Sequence, residues 1–175
     1  QGKAAIGHTR YTTAGGGSSK NIQPLYAVNY YGKPHFSIAH NGNVIEIEGL
    51  KEELTKEGLP FLATSDTEVI LRSIQKHSHL TVQEAIQLGL KNIRGAYSVL
   101  LLTKNSLAAF RDPNGIRPLC IGKIDDDTYV FSSESCALDA VGAEFLRDVE
   151  PGEIVVVDEN GLHSYSLQQE SKQRI

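Results

Sequence analysis

The sequence predicts a single domain with a layered α+β fold. Its 175 residues, 40% apolar and 22% charged, are enough for one globular domain with a substantial core. The middle of the chain carries two helical patterns, each beginning with a capping-box motif. Short strand-like segments lie on both sides of that middle region. Helices in the centre and meandering strands around them favour layered packing.

The first third of the chain is predicted to contain strands, a loop and one short helix. In order, these are a buried strand at residues 4–9, a Gly- and Ser-rich flexible loop at 14–19, a strand at 36–40 and a helix at 50–57 ended by Gly58. The dipeptide Asn41-Gly42 follows the second strand and is typical of a hairpin turn.

Two capping boxes mark the central helices. In Ser65-x-x-Glu68, the serine hydroxyl can accept from the Glu68 N–H while the carboxylate reaches back to the start of the helix. Apolar residues at helical spacing extend this helix to about residue 77. Thr81-x-x-Glu84 begins a second helix, which ends before Gly95.

The second half is rich in strands. They are predicted at residues 97–103, 107–111, 119–122, 129–132, 154–157 and 162–167, with one short helix at 134–141. Residues 99–102 form an uninterrupted apolar run. Such a run predicts a strand covered on both faces, although periodicity alone is also compatible with a buried helix.

Composition excludes several classes of function. A net charge of −4 and no basic patch argue against a nucleic-acid partner, and no apolar run reaches the length of a membrane span. The only two cysteines, Cys120 and Cys136, lie in unrelated contexts, which argues against a disulfide framework and fits a reducing cytoplasm. We expect both to be packed thiols. The histidines show no metal-ligand spacing, so no metal or cofactor is expected in this chain.

The chain contains no methionine and starts at Gln1, immediately before the apolar segment at 4–9. This favours an internal segment of a longer protein. The alternative is a mature N-terminus exposed by processing.

Three short motifs carry the candidate site. Arg10 offers a planar guanidinium that matches a carboxylate, although a strand-end arginine can equally pair with a local acid. Asn41 and Gly42 offer a side-chain amide and a free N–H, which can stabilise an oxyanion if they do not simply form a turn. Asp66 lies in the first turn of a helix, where it complements the helix dipole and could also bind an ammonium group. Together these groups could hold an amino acid at both ends.

The same motifs carry a family resemblance. Gly-His-Thr-Arg at 7–10, His-Asn-Gly at 40–42 and Ser-Asp-Thr-Glu-Val at 65–69 resemble the class II, or N-terminal-nucleophile, glutamine amidotransferases. The string from 111 to 119, RDPNGIRPL, is similar to the glutaminase domains of the amidophosphoribosyltransferase family. Ser-Glu-Ser-Cys-Ala at 133–137 and Glu-Pro-Gly-Glu at 150–153 support this branch. The resemblance covers essentially the whole chain.

The resemblance implies a four-layer αββα sandwich and a role for each motif residue. Arg10 would bind the α-carboxylate of glutamine, and Thr13 would help to hold the same amino-acid end. Asp66 would bind the α-ammonium group. Asn41 and Gly42 would form the oxyanion hole.

The family nucleophile is a cysteine at the mature N-terminus whose own α-amine serves as the base. Its thiolate attacks the side-chain amide of glutamine. The released ammonia passes to a phosphoribosyltransferase domain, expected to use magnesium, which acts on phosphoribosyl pyrophosphate. Residues 1–175 contain neither the nucleophile segment nor that domain. We therefore expect one partial domain with an incomplete sandwich, inactive alone. Its unpaired edge or uncovered apolar face is expected to be covered by a second copy of the chain or by neighbours in a crystal.

Two other functions remain open. A sugar-phosphate amidotransferase that makes glucosamine phosphate would share the three motifs. That branch is expected to have tryptophan after the motif arginine and histidine before the next proline, whereas this chain has Tyr11 and Gln23-Pro24 and no tryptophan. The other alternative is a non-catalytic glutamine-binding or scaffold domain that keeps the pocket without the chemistry.

Overall fold

The computed structural model describes residues 3–9, 19–28 and 34–167. The described strands are β1 (Leu25–Val28), β2 (Pro34–Ile45), β3 (Arg94–Leu102), β4 (Leu107–Arg111), β5 (Cys120–Lys123), β6 (Tyr129–Ser132), β7 (Glu144–Asp148), β8 (Glu153–Asp158) and β9 (Gly161–Ser166). The described helices are α1 (Glu48–Lys56), α2 (Asp66–Gln75), α3 (Val82–Gly89) and α4 (Cys136–Ala140), with a 3-10 turn at Ser19–Asn21.

The strands form two antiparallel sheets. The larger has six strands in the order β1-β2-β3-β4-β8-β9, and the smaller has three in the order β6-β5-β7. Strands β2 and β3 are central in the larger sheet and pair from Ser37↔Leu102 to Ile45↔Arg94. The mixed α/β architecture with antiparallel sheets agrees with the predicted α+β class.

Alternation of side chains gives the larger sheet two apolar faces. One face packs against α2 and α3 in a cluster that includes Ile38, Val99, Phe110, Ile154, Ile70, Ile74 and Ile86. The other face packs against the smaller sheet in a second cluster that includes Ala109, Val155, Ile121, Phe131 and Val149. A third, smaller cluster joins Leu138 of α4 to Cys120 and Ala143.

The apolar run in β3 is therefore a covered strand, as predicted. Val99 and Leu101 face the helices, whereas Leu100 packs on the cluster between the sheets. The predictions of β4 and β6 match the observed bounds, and those of β5, β8 and β9 differ by one residue at each end. The short strands β1 and β7 were not predicted.

The predicted buried strand at residues 4–9 is wrong. These residues are irregular and mostly exposed. A strand needs a hydrogen-bonded neighbour, and no strand in the described part of the chain pairs with this segment. The predicted loop at 14–19 falls almost wholly outside the described residues, and Ser19 begins the 3-10 turn.

The hairpin at Asn41-Gly42 is also wrong, because β2 continues through both residues to Ile45. Gly42 has φ +146°, and a Cβ there would lie 2.0 Å from the carbonyl oxygen of Ala96 on β3. The glycine is thus required by a close approach of two backbones inside the sheet rather than by a turn.

The capping box at Ser65 does not form. The Glu68 N–H donates to the Ser65 backbone oxygen at 3.2 Å, and the Ser65 hydroxyl is buried without a partner among the described residues. The Glu68 carboxylate instead accepts from the backbone N–H groups of Leu62 and Ala63, at 3.0 and 2.5 Å. It also pairs with Arg72 at 2.7 Å. The carboxylate therefore bonds to the loop before α2 and to Arg72 rather than to the start of the helix.

The second capping box is confirmed. The Glu84 carboxylate accepts from the Thr81 N–H at 3.1 Å and from the Thr81 hydroxyl.

The prediction that both cysteines are packed thiols holds for Cys120, which is buried, and is wrong for Cys136, which is exposed. Helix α4 is too short to bury more than one side, and that side presents Leu138.

The RDPNGIRPL string forms a tightly bonded turn between β4 and the smaller sheet. The Asp112 carboxylate is fully buried and accepts from four backbone N–H groups, those of Tyr97, Asn114, Ile116 and Arg117, at 3.0 to 3.2 Å. The Arg111 guanidinium donates to three backbone carbonyls, those of Gly115, Arg117 and Val149. One acid and one base thus satisfy most of the polar backbone of this connection.

None of the helices in the described ranges is long and apolar enough to cross a membrane.

The close approach at Gly42 predicts a large effect of adding a single methyl group. Gly42→Ala should lower the free energy of unfolding by more than about 3 kcal/mol, because the new Cβ meets β3 backbone that cannot move without breaking the ladder. Gly49→Ala, in α1, is the matched control. Its Cβ would meet nothing within 4 Å, so it should be neutral or stabilising by about 0.5 kcal/mol. Urea denaturation measures both, and equal stabilities of the two variants would contradict the geometry.

Candidate functional site

The N-terminus of α2 is docked on β2 beside the His40–Gly42 segment. The link is Asp66, whose Oδ2 accepts a hydrogen bond from the Val44 backbone N–H at 2.8 Å. Its other oxygen, Oδ1, lies 3.9 Å from His40 Nδ1. The Asp66 side chain is 22% exposed, so the carboxylate is held by the strand and still reaches solvent. An accessible anion is therefore bonded to the strand at Val44, two residues beyond Gly42.

His40 is the buried polar residue beneath this carboxylate. It is 3% exposed, and its Nδ1 shares a hydrogen bond of 3.1 Å with the hydroxyl of Thr67. Burial lowers the pKa of His40 to about 4; nearby Asp66 opposes the shift, whereas His8 and Arg117 add to it. The imidazole is consequently neutral near pH 7 and does not cancel the charge of Asp66.

Asn41 points the opposite way, because successive side chains of a strand alternate between faces. Its Nδ2 donates to the hydroxyl of Ser133, just after β6, at 3.3 Å. This bond ties the larger sheet to the smaller one and fixes one of the two amide hydrogens. The side chain is half-buried, and the second amide hydrogen remains available as a donor.

The backbone of His40 is held by two further side chains. Its N–H donates to Gln23 Oε1 at 2.6 Å, and its carbonyl accepts from Gln23 Nε2 at 3.3 Å. His8 Nε2 lies 3.1 Å from the same carbonyl oxygen. Both backbone polar groups of His40, the residue before Asn41, are thus hydrogen-bonded.

The structure brings together some of the sequence-predicted site residues. Asn41 and Gly42 lie on β2, and Asp66 of α2 is bonded to Val44 of the same strand. Arg10 and Thr13 lie outside the described residues, so their predicted roles remain predictions. In the described ranges, no group of three or more His, Cys, Asp or Glu residues is arranged to hold a metal ion.

Sequence reasoning missed three residues that support this segment. In the sequence, Gln23 serves only to distinguish two branches of amidotransferases. Thr67 and Ser133 appear only as members of the family motifs at 65–69 and 133–137. The available signal was the presence of each in a recognisable motif. Motif membership does not reveal that Gln23 and Ser133 contact residues 17 and 92 positions away.

The site offers three chemical groups. The accessible carboxylate is that of Asp66, which is bonded to β2 at Val44. The side-chain amide of Asn41 and the backbone N–H of Gly42 lie on adjacent residues of that strand. A carboxylate binds an ammonium group through charge-assisted hydrogen bonds. An amide and a backbone N–H bind an anionic or polarised oxygen.

Comparisons with known proteins agree with this chemistry. Residues 8–140 match the family model described as a glutamine amidotransferase domain. The amidophosphoribosyltransferase of Bacillus subtilis is 43% identical over 164 residues, which are 94% of this chain and 34% of that protein. The chain therefore spans about a third of the length of this curated relative.

Solved structures give the same result. The glutamine phosphoribosylpyrophosphate amidotransferase from B. subtilis, complexed with ADP and GMP, superposes with a TM-score of 0.82 at 38% identity, covering 93% of this chain and 34% of that one. A structure described as the allosteric regulatory enzyme of purine biosynthesis has a TM-score of 0.84 at 41% identity, with the same coverage.

These matches confirm the resemblance inferred from the motifs, extend it across the described fold, and show that the chain belongs to the glutamine amidotransferase domain family.

Proposed function

We propose that this chain forms the glutamine-binding part of the glutaminase site of an amidophosphoribosyltransferase. The observation that supports the proposal is the docking of Asp66 on the Val44 N–H, which holds an accessible carboxylate on the strand that carries Asn41 and Gly42. The names and coverage of the relatives support the choice of enzyme.

Asp66 would bind the α-ammonium group of glutamine. One of its oxygens is engaged by the strand, which fixes the orientation of the carboxylate. The other oxygen lies 3.9 Å from the neutral imidazole of His40, which therefore does not neutralise its charge. A fixed, partly exposed anion binds an ammonium group without first breaking an ion pair.

Asn41 and Gly42 would form the oxyanion hole. The Asn41 amide is oriented by Ser133 and keeps one donor free. Gly42 has no side chain, so a substrate carbonyl can come close to its backbone N–H. Donors that are fixed before the reaction stabilise developing negative charge without reorganising, and one such donor typically contributes about 3 kcal/mol.

Arg10 and Thr13 would complete the site at the other end of the amino acid. The guanidinium of Arg10 matches the α-carboxylate in shape and charge. The His8–His40 contact supports this, because it holds the start of the Arg10 segment against the strand that carries Asn41.

The nucleophile would be a cysteine with a free α-amine. Cys120 and Cys136 are both internal residues and have no α-amine, so the 175-residue chain is expected to bind glutamine without hydrolysing it. In the whole enzyme, ammonia would reach a magnesium-dependent phosphoribosyltransferase domain and react with phosphoribosyl pyrophosphate in purine synthesis. We place that enzyme in the cytoplasm.

The remaining proposals concern architecture and assembly. The three apolar clusters support a sandwich with the layer order helix, sheet, sheet, helix, of the N-terminal-nucleophile hydrolase type. Tyr26 on the edge strand β1 is 66% exposed, which supports coverage of that edge by a further segment or by a second copy in a homo-oligomer.

The experiment that tests the proposed site is a binding comparison by calorimetry. Asp66→Asn should weaken glutamine binding about 10-fold to 100-fold, because a charge-assisted contact to the ammonium group is lost. An asparagine at this position can still accept from the Val44 N–H, so the fold should persist. Glutaramate, the glutamine analogue without the α-ammonium group, should bind both proteins equally. The control is Asp139→Asn, at an exposed position on α4. Unchanged glutamine affinity in Asp66→Asn would refute the assignment.

Burial of neutral His40 predicts a pH dependence of stability. The pKa of about 4 lies below the ordinary value of 6.5, so the unfolded chain takes up the proton first as the pH falls. The stabilising contribution is therefore complete above pH 6.5 and is lost as the pH falls from 6.5 towards 4. His40→Asn should flatten this part of the stability profile, whereas substitution of exposed His79 should not. An NMR titration of His40 with a midpoint near 6.5 would show that the imidazole is not buried as described.

A further inference from the structure

The ladder between β1 and β2 stops just before the candidate oxyanion residues. The observed antiparallel pairs include Leu25↔Ile38 and Tyr26↔Ser37. Continuing this register by two residues places Gln23 opposite His40. However, β1 begins at Leu25, so among the described residues no strand lies beside the backbone of His40 on this side.

The side chain of Gln23 takes the place of that neighbour. Its carboxamide accepts from the His40 N–H at 2.6 Å and donates to the His40 carbonyl at 3.3 Å. This is the pair of hydrogen bonds that a facing residue supplies in an antiparallel ladder. On the other edge of the strand, His40 lies opposite Val99 of β3 in the ladder register, but its own N–H and C=O both point towards Gln23.

We propose that Gln23 is a positioning residue for the oxyanion hole. The His40 carbonyl belongs to the peptide bond that precedes Asn41. Fixing this carbonyl therefore sets the direction of the Asn41 side chain and of the Gly42 N–H. Gly42 follows with φ +146° and has no side chain to fix the direction of its own N–H. An anchor immediately before it therefore has a strong effect on where the two donors point.

The residue type is as informative as the location. A carboxamide carries a donor and an acceptor on one planar group, which matches the N–H and C=O of a single residue. Glutamate can accept from the N–H and cannot donate to the carbonyl. Alanine can do neither. Gln23→Glu and Gln23→Ala thus remove one or both bonds, and the first keeps nearly the same shape.

The inference rests on the proposed function, and a pair of ligands separates the two. Norvaline has the amino-acid end of glutamine and lacks its carboxamide, so the ratio of the two affinities reports on the oxyanion residues alone. We expect this chain to prefer glutamine about 10-fold, as one or two neutral hydrogen bonds allow. Gln23→Ala should reduce the preference to about 2-fold and leave norvaline affinity unchanged, and Gln23→Glu should fall between.

A second readout needs no ligand. Hydrogen exchange at the His40 N–H should accelerate at least about 10-fold in Gln23→Ala, because its acceptor is removed. The exchange of the Val44 N–H, held by Asp66, should change little. The matched control is Gln87→Ala, which removes a side-chain amide bond to the Ser166 carbonyl at the other edge of the larger sheet.

The outcomes are distinct. A collapsed preference together with fast exchange at His40 supports the proposal. Retained preference or unchanged exchange in a folded Gln23→Ala protein overturns it and leaves the glutamine site standing. If Gln23→Ala does not fold, Gln23→Glu decides in the same way. Absence of glutamine binding in the unsubstituted chain overturns the proposed function and this inference with it.

Discussion

The arrangement of the site depends on one hydrogen bond, from the Val44 N–H to the carboxylate of Asp66. It joins the first residue of α2 to the C-terminal end of β2, the longest of the described strands. Because α2 is nearly surrounded by the apolar cluster that covers the larger sheet, its position along the strand cannot be adjusted independently. The same bond therefore sets the helix against the sheet and places an anion near Asn41 and Gly42.

Buried carboxylates with backbone partners recur around this bond. Glu68 holds the loop before α2, and Asp112 holds the turn that follows β4. In each case a side chain satisfies N–H groups that no strand or helix can reach. Gln23 does the same with a neutral amide. These groups allow irregular backbone to lie close to a site while the N–H groups that they contact remain bonded.

The fold class and most elements could be predicted because they depend on local periodicity. The apolar run of β3, the capping box at Thr81 and the strand β4 each show their state in a few adjacent residues. The predictions that were wrong share one cause, because contacts between residues distant in sequence determined the structure there. Asn41-Gly42 has the sequence of a turn, and only the approach of Ala96 on β3 explains the glycine. Ser65 and Glu68 have the sequence of a capping box, and only the N–H groups of Leu62 and Ala63 explain its absence.

The candidate site could be predicted in part for the same reason. Asp66, Asn41 and Gly42 were found because they belong to short motifs. Gln23 and Ser133 contact those motifs from distant positions, so neither spacing nor composition indicates their part in the site. The glutamine at position 23 indicated a role beside His40 only after the register of β1 and β2 was known.

The most direct test of the account is a crystal structure of this chain with glutamine bound. The account predicts one glutamine molecule whose α-ammonium nitrogen lies about 2.7–3.0 Å from the Asp66 carboxylate, with its side-chain carbonyl directed at Asn41 and Gly42. Glutamine bound elsewhere on the molecule, or bound with its carboxamide turned away from Gly42, would contradict the central claim that these residues act on the same ligand.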